Sequence, residues 1–129
     1  MVVRAGTDHQ KRETILTEWY RNQLRMTAEP LIAKWERILK VKASGWQIRR
    51  MKTKWGSCNV EGKRVLLNLE LAKKPVECLE YVVVHELSHL IERRHNTKFI
   101  GILDKHLPHW RQFRQQLNSL PLDPQNWNH

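Results

Sequence analysis

Residues 75–93, PVECLEYVVVHELSHLIER, form a largely apolar run too long for a β-strand, with His85, Glu86 and His89 set inside it. Val76, Leu79, Val83 and Leu90 fall near one face at helical spacing and Pro75 suits a first turn, so the run predicts one buried helix over 75–93. Ionisable groups in an apolar interior are costly unless something compensates them. The H-E-L-S-H segment therefore calls for a partner, and a metal ion is the natural one.

His85 and His89 are four residues apart, so on a helix their Cβ atoms stand about 5–6 Å apart on one face. That spacing suits two imidazole bonds of about 2.0–2.1 Å to one zinc ion, while Glu86 is placed to take a proton from water without being a ligand. With seven histidines in the chain, chance alone gives roughly 0.03 HExxH matches, so the helical setting carries much of the weight. A catalytic zinc usually has three protein ligands. On a continuing helix, a residue six positions past His89 would point about 120° away, so His95 can serve only if the chain turns near Arg93–Arg94. Asn96 suits the N-cap of a following helix and supports such a turn. Glu92, Asp104, His106 and His109 are the competing third ligands, and His95 is preferred.

The rest of the chain reads as α, β hairpin, α, within a body of about residues 8–118. From Asp8, taken as an N-cap, Ile15, Leu16, Trp19, Tyr20 and Leu24 mark an amphipathic helix with Trp19 in the core. Thr27 and Pro30 restart or kink it, and Leu31, Ile32, Trp35, Ile38 and Leu39 carry the stripe to about Lys42. Trp46 and Ile48, then Val65, Leu67 and Leu69, alternate as two strands, with the NVEGK segment as a turn between antiparallel partners. Asn96 and Pro108 open two further helices, carrying Phe99, Leu103 and His106, then Phe113 and Leu117. The tail LPLDPQNWNH reads as irregular.

At 129 residues the chain is long enough for one domain, 1–129. No apolar run approaches the roughly 20 residues of a membrane span, and MVVRAGTDHQ lacks a signal peptide's apolar stretch, which implies a cytoplasmic location. Cys58 and Cys78 are read as reduced thiols. The net charge is +10, of which residues 1–54 carry +8, so nucleic acid is a candidate partner through the basic N-terminal half.

WGSC at 55–58, LN at 67–68, YVVVHELSHLIERRHNTKF at 81–99 and P-x-W at 108–110 together resemble the YgjP-like zinc metallopeptidase family, related to the SprT-like proteases. The resemblance covers about residues 11–118. It implies an α+β, zincin-like domain: N-terminal helices, a small mainly antiparallel sheet spanning WGSC to Leu69 whose edge strand binds extended substrate, the motif helix, and C-terminal helices. It implies zinc on His85, His89 and His95, with Glu86 as general base in peptide hydrolysis. Many relatives carry further N-terminal sequence, so this chain resembles a short or trimmed member. Trp55, Gly56 and Cys58 read as packing positions and not as a catalytic thiol. Tyr81, four residues before His85, reads as packing first, with a role in orienting a ligand or stabilising an oxyanion as the second option. The alternative function is a DNA- or protein-binding module with a zinc site and no turnover, and hydrolysis of a non-peptide amide is a third.

Overall fold

The computed structural model describes residues 5–118, with side chains from Lys11 onward. The irregular tail expected at 120–129 lies outside the described residues.

Helix α1 runs unbroken over Ala5–Leu39, so Asp8 sits in its first turn and not at the N-cap. Its buried stripe, Leu24, Ala28, Ile32, Trp35 and Leu39, passes Pro30 on the exposed face. An interior proline costs about 3 kcal/mol. Burying each large apolar side chain of this stripe returns about 1.5–3 kcal/mol, so packing carries the helix across the proline. The stripe begins only at Leu24: Ile15 is 70% exposed and Trp19, expected in the core, is 52% exposed. The periodicity identified a helix, but its first turns extend past the elements that cover the rest. Lys40 closes the helix in left-handed geometry (φ 58°), and the Val41 N–H donates to the Glu36 carbonyl across 3.0 Å.

Three strands follow: β1 (Gly45–Arg49), β2 (Gly56–Asn59) and β3 (Arg64–Asn68), ordered β1-β3-β2. The strands expected around Trp46–Ile48 and Val65–Leu69 are not antiparallel partners; the antiparallel hairpin is β2–β3, with Cys58 opposite Val65. Its turn is fixed by the Asn59 side chain, which accepts from the Gly62 N–H at 3.1 Å. The sheet is mixed, because β1 joins β3 in parallel, pairing Trp46 with Val65 and Ile48 with Leu67. WGSC thus supplies a third strand at one edge, and Leu69, expected in a strand, starts a 3-10 turn over Leu69–Lys73.

Asn68 joins these pieces. It is fully buried; its amide donates to the carbonyls of Met51 (2.9 Å) and Lys54 (2.7 Å), and its oxygen accepts from the Glu70 N–H (3.0 Å). One side chain therefore fixes the β1–β2 connection and caps the 3-10 turn.

Helix α2, Val76–Ser88, is the centre of the molecule: from Cys78 to Ser88 only Glu80 is not buried. Helices α1, α3 and α4 and strands β2 and β3 all pack on it, as a helix that is apolar nearly all round requires. It ends earlier than the predicted 93. The N–H groups of His89, Leu90 and Ile91 donate to carbonyls three residues back, which tightens and then terminates the helix. Helices α3 (Thr97–His106) and α4 (Trp110–Asn118) complete the fold. No described helix is long and apolar enough to cross a membrane.

Asn68→Ala strips three hydrogen bonds from a buried junction and is expected to lower unfolding free energy by about 2–4 kcal/mol, measured by urea denaturation.

Candidate metal centre

His85 and His89 project from the last turns of α2 and are 3% and 4% exposed, with ring centroids 5.2 Å apart. Because the helix stops at His89, the chain reverses within a few residues and brings the exposed His95 back against them. The Asn96 side chain accepts from the Phe99 N–H at 3.1 Å and starts α3 directly after His95. The turn that a third ligand needed is present: the helix ends at Ser88 and the chain bends at Arg93–Arg94 before α3.

Each of the three histidines offers a ring nitrogen, and the three atoms lie within 4.8 Å of one another. Nε2 of His95 is 2.9 Å from Nε2 of His89. Two nitrogens sharing a tetrahedral zinc at 2.0–2.1 Å stand about 3.3 Å apart, so the His89–His95 pair needs to open by only a few tenths of an ångström to share the ion. Nδ1 of His89 donates to the Arg93 carbonyl at 3.1 Å, which leaves the lone pair on Nε2, the atom facing His95. Three neutral nitrogen donors so arranged can hold a borderline-soft divalent metal.

Glu86 is fully buried, with Oε2 3.3 Å from Nδ1 of His85. Gly56 of β2 also lies against it. A Cβ at Gly56 would lie 2.6 Å from Val82 Cγ1 and 2.9 Å from Glu86 Oε2, so only glycine allows this strand to lie on the carboxylate. Cys58, two residues on, has its thiol pushed up to about 12 by burial and then by the Glu86 charge. It remains a thiol at neutral pH, in keeping with packing and not with nucleophilic chemistry.

The competing ligands lie elsewhere. Glu92 accepts from the Arg94 backbone N–H at 3.4 Å, Asp104 is engaged by Trp110 Nε1 (2.8 Å) and Arg111 Nη1 (2.7 Å), and His106 packs edge-on against Trp35. His109 is exposed and does not join the group. Tyr81 is buried with its ring edge to His85 and stacked on Trp110, and burial pushes its phenol up.

Phe99 was legible only as a core position of α3. Its ring touches all three imidazoles, with centroids 5.1 Å from His85, 4.6 Å from His89 and 4.7 Å from His95. Beside the trio opens a cleft of about 570 Å³, walled by Cys58, Asn59 and Glu61 on one side and by Arg93, Arg94 and His95 on the other.

Two solved structures share this architecture. The metallopeptidase zymogen of Pyrococcus abyssi abylysin aligns with TM-score 0.66 and 20% identity over 71% of this chain and 92% of its own. That of Methanocaldococcus jannaschii jannalysin aligns with TM-score 0.63 and 21% identity over 71% and 94%. At such identities they establish the fold. No curated protein matches the sequence. The YgjP-like, metallopeptidase domain family matches residues 1–120, nearly the whole chain. With its helical HExxH segment, its converging histidines and this match, the chain belongs to the YgjP-like metallopeptidase family.

Proposed function

We propose that this chain is a zinc-dependent peptidase acting as one domain, with His85, His89 and His95 as the metal ligands and Glu86 as the general base. The observation that carries the reading is the convergence of three imidazole nitrogens within 4.8 Å, beside a cleft and next to a buried carboxylate. When bound, zinc supplies Lewis acidity, polarising the scissile carbonyl and lowering the pKa of water from about 15.7 towards 7. A purely structural zinc site usually closes with four protein ligands. Among the described residues three come together, which favours turnover over the binding-module alternative.

The chain's own residues then have defined tasks. The His89 ring is held by the Arg93 carbonyl and by Phe99, which fixes its tautomer and direction. A carboxylate oxygen of Glu86 accepts the proton of the attacking water and returns it to the departing amine nitrogen, as general base and then general acid. Among the described residues β2 is an edge strand, hydrogen-bonded to β3 on one side only. Its outer edge offers backbone groups to an extended peptide or protein substrate laid along the cleft. Free Cys58 and Cys78 suit a reducing compartment, consistent with a cytoplasmic location.

Glu86→Gln is expected to keep about one zinc per chain by metal mass spectrometry while peptide hydrolysis falls by roughly 10²–10⁴; hydrolysis at the parent rate would remove Glu86 from the role of base. His95→Ala is expected to lower zinc content and activity together, whereas full zinc retention would exclude His95 as a ligand. Gly56→Ala forces a methyl against Val82 and Glu86. It should lower stability by about 1–3 kcal/mol and reduce kcat more than it changes KM, with zinc content unaltered.

A further inference from the structure

The two faces of the three-stranded sheet differ in kind. One carries Ile48, Val65 and Leu67, all buried, towards α2. Strand alternation and register place Gln47 and Arg49 of β1, Ser57 and Asn59 of β2, and Arg64 and Leu66 of β3 together on the other. Of these, Gln47, Arg49, Asn59 and Arg64 are exposed and the other two half-buried. The six border a cleft of about 200 Å³ that contains no carboxylate.

The charge of the chain is concentrated on the same stretch. Residues 40–64 hold eight basic residues and one acidic residue, Glu61, or +7 of the total +10. Helix α1 and everything upstream of it, residues 1–39, contribute only +2. Arg49 and Arg64 lie on the open face, Arg50, Lys52 and Lys54 follow in the connection held by Asn68, and Lys63 stands in the β2–β3 turn. All six are exposed and, among the described residues, none is in an ion pair.

We infer that the open sheet face is a binding surface for single-stranded nucleic acid. Arg64 lies opposite Gly45, and Arg49 is four residues further along β1. The two residues therefore stand about 13 Å apart along the strands, measured at the backbone, a span of a few nucleotides. Between them Gln47, Ser57 and Asn59 offer the hydroxyl and amide groups that bind phosphate and sugar oxygens, and Leu66 offers a small apolar platform. The positive charge continues past the face into the 49–54 connection as a track. A track matches a polymer with one charge per nucleotide better than an acidic peptide with occasional carboxylates. The surface does not depend on the peptidase reading, since none of these groups is a proposed ligand or base.

The test uses the full chain with fluorescently labelled dT20 and with poly-glutamate, measuring binding by anisotropy from 50 to 200 mM KCl. Binding of dT20 should weaken steeply with salt. Arg49→Gln/Arg64→Gln should weaken it at least tenfold and flatten the slope of log K against log salt by about 1.4, the value for two lost phosphate contacts on a single strand. Lys98→Gln/Lys105→Gln, on α3, removes the same charge elsewhere and should have under a threefold effect. Absence of dT20 binding at 50 mM KCl, equal losses in the two double variants, or tighter binding of poly-glutamate would each overturn the proposal. Unchanged peptide hydrolysis by the Arg49/Arg64 variant keeps this outcome separate from that of the peptidase reading.

Discussion

Every other feature of this molecule is arranged around the burial of α2. A helix covered on nearly all sides loses water as a solvent for its polar groups, yet this one carries His85, Glu86 and Ser88 in its interior turns. The cost of a desolvated carboxylate and imidazole is several kcal/mol each unless they are engaged. The fold meets it locally: Glu86 and His85 lie against each other, and His89 at the helix end bonds to the Arg93 carbonyl. The close approach of β2, possible because residue 56 has no side chain, covers one side of the carboxylate. A buried carboxylate among preformed partners is also in a setting where electrostatic catalysis is strong.

The histidine trio was legible because its parts are local. Spacing on one helix gives His85 and His89, and an N-cap asparagine immediately after His95 marks where the chain must restart. The contacts that brace the trio were not, because they join elements far apart in sequence. Nothing local in Gly56 or Phe99 tells that one lies on Glu86 and the other on three imidazoles. Strand β2 carries no local strand signal and entered the sheet only through the family resemblance, because Gly, Ser and Asn have little intrinsic strand preference. Pairing with β3 and packing on α2 make it a strand. The parallel placement of β1 was hidden for the same reason: once WGSC is itself a strand, the hairpin closes there and β1 must take the far edge of β3. Trp19 failed in the opposite way, since periodicity specifies which face of a helix is apolar but not how much of its length is covered.

The sheet serves as a partition. Its inner face and the β2 edge belong to the helical core and the cleft beside the histidines, and its outer face is polar and basic. Asn59 borders both clefts, so the two surfaces meet at one residue while their chemistry stays separate. This division follows from period-two alternation in strands of four and five residues, the smallest unit that can present two unlike surfaces.

Phe99 carries a mechanical consequence. Its ring lies against all three imidazoles, and it belongs to α3, which begins at Thr97, directly after the cap Asn96 that follows His95. A rigid displacement of α3 would move Phe99 and His95 together while leaving His85 and His89 on α2. The geometry of the nitrogen set is thus governed by a single relative coordinate between two helices. The short connection from His89 to Asn96 links the two helices, and the Phe99 ring packed on the imidazoles resists a change in that coordinate.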